Sequence, residues 1–331
     1  MPNRTQGRTT APPDPASRAR PPTAPRTPTE TPLLPGPAST TGPGVRLTVS
    51  PGELPEHLFR RLLSAYLTGS RRFEVTEQPH LSPSTKAAVL EFCRRTREPE
   101  VVRELGSELD LVDVDVDRPQ ELGARLTALG ERVVEFHREA VASWRSLPLG
   151  DDGRWGREDD EIDREAWYLE RCLALGDGAE GGPPVASISA WTVVRSLERI
   201  ADHAVTLGEV GPRLADLGAE GGLLREIRQF HEQVMDHLEE IVHGPDSSRA
   251  NDLLDVGEAL IAGGRSLSER LLPAVGDGSM SPASAAAVAR ALEAIMRTVA
   301  YGQDIAQTFF DRTVRTAPPS AATPLAPVSP A

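Results

Sequence analysis

Two cysteines and one lysine occur in 331 residues, and no stretch approaches the roughly 18 consecutive apolar residues that a membrane-crossing helix needs. Cys93 and Cys172 each sit inside an apolar-periodic run, which is poor material for a disulfide framework or a four-thiolate zinc site. Both are expected to be reduced core residues. The N-terminus lacks the apolar segment of a signal peptide, so a cytoplasmic location and no membrane insertion are expected. Every basic residue except Lys86 is arginine, a compositional bias to which no mechanism is attached. No glycine-rich phosphate loop follows any strand-like run, so a nucleotide site is not supported. No nucleophile elbow and no Ser/His/Asp set is present.

What is abundant is acid. The net charge is -13, although residues 1–46 carry six arginines against only Asp14 and Glu30, so the rest of the chain is more acidic still. Such a surface repels DNA phosphates and anionic lipid heads, which disfavours nucleic-acid binding by the body and favours cations and basic partner surfaces. Residues 1–45 hold twelve prolines and little that is apolar, the composition of a disordered tail, and 315–331 repeats the pattern.

Between the tails the texture changes twice. Over 46–116 the runs VRLTV, FEVTE and LDLVDVDV read as strands and Glu56–Leu67 and Ser84–Arg95 as helices, a small β-α-β-α-β domain with Gly69 as a helix C-terminal residue and Pro83 at a helix start. From Pro119 onward every segment reads as helix: Leu122, Leu126, Leu129, Val133, Phe136 and Ala140 step by four and three, as in a bundle seam. Ile162, Ala166, Leu169 and Leu173 repeat the spacing, as do Leu223–Ile241 and Val288–Phe309. Glycine- and proline-bearing turns are expected at 147–156, 176–184, 208–222, 244–248 and 273–282. One helix, 251–272, is weakened by Gly263 and Gly264, each costing up to about 1 kcal/mol relative to alanine. A faint repeat lays 196–209 over 294–307, an offset of 98 residues. The expected fold is therefore mostly α: two three-helix bundles, 117–212 and 219–314, preceded by the small α/β domain and the N-terminal tail.

Chemistry concentrates in Trp191–Glu209. Glu198 and Asp202 stand four apart and project from one helix face beside Arg195 and Thr206, a spacing at which two carboxylates share a hard or borderline cation. Like charges at that spacing also destabilise a helix by a few tenths of a kcal/mol, which a metal, Arg195 or Arg199 would offset. On the preceding helix Glu158, Asp159, Asp160, Glu161 and Asp163 crowd the first turns, again with Asp159 and Asp163 four apart. The helix macrodipole alone accounts for most of that crowding, unless this helix faces Glu198 and Asp202.

The stretch Glu198-Arg199-Ile200-Ala201-Asp202-His203-Ala204-Val205-Thr206-Leu207-Gly208-Glu209 resembles the hallmark E-R-I-(G/A)-D-H-A-x-x-(I/L)-x-E of the PhoU family of phosphate-uptake regulators, and DDEIDREAWYLERCL resembles that family's preceding acidic helix. The resemblance spans about 117–312. LFRRLLSAYLTGSRRFEV is similar to the extra domain of archaeal-type members, in which an AbrB-like DNA-binding segment lies further upstream; here the proline-rich tail stands in that place. The resemblance implies two three-helix bundles, iron or zinc clusters on E/D-x-x-x-D motifs, and negative control of phosphate uptake and phosphate-starvation signalling through contacts with a phosphate ABC transporter and a sensor kinase, often as a homodimer. Carried over, Glu198 and Asp202 match the third-helix motif and Asp159 and Asp163 are their partners. In the second repeat Met296 and Ala300 stand where carboxylates would, leaving Asp252, Asp255 and Asp304 as a weak second site.

Three rivals remain at this level. A ferritin-like di-metal oxidase needs Glu-x-x-His pairs from two helices, and within the runs that read as bundle helices only Glu240 and His243 have that spacing. A phosphotransfer domain would use His203 as acceptor, against which its neighbour Asp202 argues. A metal-free adaptor would act through acidic helical faces alone.

Overall fold

The computed structural model describes residues 44–113, 122–145, 153–176, 184–215, 222–244 and 249–316, with the side chains of 184–188, 215, 250 and 312–316 left aside. The tails expected at 1–45 and 315–331 lie almost wholly outside the described residues, as does the VDV end of the third expected strand. Among the described residues no helix is long and apolar enough to cross a membrane.

The first unit has the order β1 (Gly44–Thr48), α1 (Pro55–Leu67), β2 (Arg72–Thr76), α2 (Pro83–Arg95), β3 (Pro99–Leu105) and β4 (Glu108–Asp113). Its sheet runs β1-β2-β4-β3, with β1 parallel to β2 and the remaining pairs antiparallel. Phe73 faces Leu111 and Val75 faces Leu109 across the β2–β4 pair, and all four are buried with Leu58, Leu62, Tyr66, Val89 and Phe92 of the two helices. Gly69 adopts φ +90° and its turn returns Ser70 N–H to Ala65 O, the left-handed helix ending that glycine permits. Ser82 caps α2 by accepting from Thr85 N–H ahead of Pro83. One strand departs from the three-strand expectation. β3, PEVVREL, lies at the sheet edge and keeps Glu100, Arg103 and Glu104 exposed, so its charges mask the alternation that marks a half-buried strand.

The helical body consists of α3 (Leu122–Ala142), α4 (Arg154–Gly176), α5 (Pro184–Ala215), α6 (Gly222–Val242), α7 (Ala250–Glu269), a short α8 (Leu271–Gly276) and α9 (Pro282–Thr316). The two sets α3-α4-α5 and α6-α7-α9 are mostly α-helical bundles as expected, and they share one continuous hydrophobic core. The longest helices, α5 and α9, form the most extensive helix pairing. His203 of α5 stacks on Tyr301 of α9, with ring centroids 5.8 Å apart. These two residues are equivalents under the 98-residue offset, and equivalent residues touch only near the axis relating two copies. The two halves therefore meet at equivalent positions of α5 and α9.

One turn expectation and one weakened helix give way to packing. α5 does not stop at Gly208 but runs on to Ala215. A Cβ at Gly208 would lie 2.4 Å from the Trp155 ring, and one at Gly211 would lie 3.1 Å from Trp144. The glycines are the seats of two tryptophans inside a continuing helix. Gly264 serves α7 similarly, since its Cβ would lie 2.6 Å from Met296 Cγ. Close approach of α7 and α9 offsets the helix propensity lost at that position.

Candidate functional site

α4 and α5 run antiparallel: Trp155, near the start of α4, packs on Gly208 late in α5, while Glu170, late in α4, accepts from Arg195 early in α5 at 3.2 Å. This pairing carries Asp159 and Asp163 onto the part of α4 that faces Glu198 and Asp202. The four carboxylates feel one another. Burial pushes Asp159 up to about 7, with further upward pressure from Asp163, Asp202 and Asp160. Burial pushes Glu198 up to about 7, reinforced by Asp202, Asp163 and Glu170. Asp163 rises to about 6 because burial and the neighbouring carboxylates outweigh the opposing pull of Arg95. Asp202, exposed at its tip, is raised by desolvation and pulled down by Arg199. Asp159 and Glu198 are therefore partly protonated near neutral pH, where the sequence places full negative charges.

Electrostatic reach is not coordination, however. Among the described residues no group of three or more His, Cys, Asp or Glu side chains is gathered as a metal ion would require. Asp163 Oδ2 already accepts from Arg95 Nη2 at 2.7 Å, and the same nitrogen lies 3.0 Å from Asp160 Oδ1. The residues as arranged do not fit the iron or zinc cluster expected of the quartet.

Arg95 is the site residue that sequence reasoning missed. It ends α2 of the α/β unit and stands 68 positions from Asp163, and its guanidinium lies 5.0 Å from the Trp167 ring centroid and 5.7 Å from that of Phe59. Around it the two units are riveted by further arginines. Arg164 donates to Arg94 O at 2.6 Å, and Arg97 and Arg125 both reach Glu165. Arg171 of α4 is fully buried, bonded to Asp113 and to Tyr66 O, and lies 4.4 Å from the Tyr66 ring centroid. Of the two arginines expected as counter-charges, Arg195 pairs with Glu170, whereas Arg199, 5.6 Å from the Tyr301 ring centroid, acts on both Glu198 and Asp202. Only the run of Arg94, Arg95 and Arg97 ending α2 could have signalled the docking.

The second half has no such face. Under the same offset Gly257, Ile261, Met296 and Ala300 occupy the places of Asp159, Asp163, Glu198 and Asp202. Met296 fills the space over Gly264 beside Phe230, and Gln303 covers Gly257. Asp252, Asp255 and Asp304 are all exposed; Asp252 and Asp255 align with Arg154 and Arg157, at the start of α4 and ahead of the first quartet member.

Glu240 pairs with Arg249 and His243 Nε2 with Glu131 at 3.2 Å, both at the surface end of α6, so they form no di-metal core. His203 is half-buried against Tyr301 rather than presented as a phosphoryl acceptor. Cys93 and Cys172 are free and half-buried. An unexpected pair is His137 and His231, buried and stacked at 5.7 Å where α3 meets α6. The His137 ring nitrogen Nε2 donates to Ile200 O at 2.7 Å. A cavity of about 310 Å³, lined by Leu126, Val193, Leu197, Val242, Ile305 and Phe309 among others, opens where the ends of α3, α5, α6 and α9 converge.

No protein-family model matches the chain, and no curated protein sequence does. Among solved structures, the crystal structure of PhoU from Pseudomonas aeruginosa is similar, with a TM-score of 0.55 at 17% sequence identity, covering 60% of this chain and 97% of that one. At that identity the likeness shows the fold: the helical body is PhoU-like.

Proposed function

We propose that this chain is a non-catalytic regulator that acts through protein contacts, and that what it regulates is phosphate uptake. The observation that carries this reading is that the segment Glu198–Glu209, which resembles the PhoU hallmark, lies on the central helix of a body whose fold is like that of a PhoU. The partners this reading assigns are a phosphate ABC transporter and a phosphate sensor kinase, which the chain restrains when phosphate is plentiful, in the cytoplasm and as a homodimer.

Deletion of the gene is the test. Phosphate uptake and alkaline phosphatase expression should both rise in phosphate-rich medium, and complementation should restore them. Unchanged values in rich and starved cells would remove the reading. Light scattering should give twice the chain mass at micromolar concentration.

A further inference from the structure

The acidic quartet poses a problem of charge. Asp159, Asp163 and Glu198 lie within electrostatic reach of one another and of the exposed Asp202 on facing helices, where unpaired carboxylates are costly and a cation is the ordinary remedy. The second half avoids the cost by carrying no carboxylate at the equivalent places. The first half keeps its carboxylates and supplies a cation from within the chain.

We propose that Arg95 is the resident cation of the quartet, and that the α/β unit and a metal ion are mutually exclusive occupants of it. Three observations carry this. Arg95 Nη2 bonds both Asp163 and Asp160, at 2.7 and 3.0 Å, so it takes an acceptor oxygen that a metal would need. Its guanidinium is held between Phe59 and Trp167, which fixes a group that solvent would otherwise leave mobile. The backbone beside it is clamped as well, because Arg164 bonds the Arg94 carbonyl and Arg97 reaches Glu165. Withdrawing Arg95 from the carboxylates therefore also breaks its contacts with Phe59 and Trp167. The acidic motif of the helical body serves here as a docking cradle for the chain's own small domain. This inference does not rest on the phosphate reading, and it holds or fails on metal content alone.

The test uses the full chain purified without chelator, with bound metal measured by mass spectrometry and Mn2+ binding followed by electron paramagnetic resonance. Wild type should carry no more Fe, Zn or Mn than the Glu198→Gln/Asp202→Asn chain. Arg95→Gln should bind Mn2+ at least about tenfold more tightly than wild type, and adding Glu198→Gln should abolish the gain. Arg95→Lys, which keeps the charge, should stay closed. Metal in wild type that is lost in Glu198→Gln/Asp202→Asn would overturn the proposal, as would an Arg95→Gln chain of native circular dichroism that gains none. Should Arg95→Gln fail to fold, the comparison of wild type with the quartet double variant decides alone.

Discussion

The first and second halves of the helical body are the same design with opposite solutions at the same four places. Where α4 and α5 meet, the first half holds four carboxylates, and arginines of the α/β unit lie over the acidic row of α4. Where α7 and α9 meet, the second half has Gly257, Ile261, Met296 and Ala300, and the helices close on one another with Met296 lying on Gly264. The difference teaches that the acidic face belongs to the half that carries a neighbour. A helix pair with nothing docked on it can be sealed with small and apolar residues, whereas a pair that must receive an arginine-rich helix end keeps its charge at the seam.

The sharpest way to break the comparison is to remove the rivet. Arg171 is fully buried with Asp113 as its partner, and removing one member of a buried ion pair costs about 3–5 kcal/mol. Arg171→Met should therefore lower the urea midpoint by far more than any substitution in the second half. A change below about 1 kcal/mol, the scale of an exposed pair, would mean that the units are only loosely joined. The second half should yield next. Gly264→Leu forces atoms into the space of Met296 and Phe230, and overpacking of this kind costs about 1–3 kcal/mol; thermal unfolding would measure it.

The seam between the halves should show in the pH dependence. Burial pushes His137 down to about 4 and His231 well below its ordinary value. Unfolded, both titrate near 6.5, so below that pH the unfolded chain binds more protons than the folded one. Stability is full above about pH 6.5 and declines as pH falls toward 4, by on the order of 2 kcal/mol per histidine at pH 5. The His137→Gln/His231→Gln chain should lose this slope in denaturant titrations at pH 5, 6 and 7, and a wild-type midpoint constant across that range would contradict it.

The smallest effect separates the two acidic groups. Glu198 is raised to about 7, so above that pH its charge opposes folding, and Glu198→Gln should stabilise by on the order of 1 kcal/mol at pH 8. The gain should shrink as pH falls below about 7 and vanish near the ordinary carboxylate value of 4.5. Asp252→Asn and Asp255→Asn change exposed side chains and should stay within about 0.5 kcal/mol at either pH. Equal shifts for all three would erase the contrast between the halves.

Much of this was legible before any coordinates. The four-and-three spacing from Leu122 to Ala140 marks α3, with Leu129, Val133, Phe136 and Ala140 buried, and Gly69 and Pro83 mark helix ends that exist. The antiparallel pairing that brings Asp159 and Asp163 to Glu198 and Asp202 was legible as a consequence of two adjacent amphipathic helices. The edge strand β3 was not, because an edge need not alternate. Nor was the run of α5 past Gly208, because a glycine that ends a helix and one that seats a tryptophan look alike in sequence.

By itself the amino-acid sequence determined the helical class, the repeat and the acidic positions, because periodicity and side-chain chemistry act over a few residues and are written there. Which cation answers those acids was decided only by tertiary structure. Arg95 lies 68 positions from Asp163, and nothing local distinguishes it from Arg195, Arg199 or Arg164. The choice was made where α2 ends against α4, by Trp167 and Phe59 holding one guanidinium and not the others.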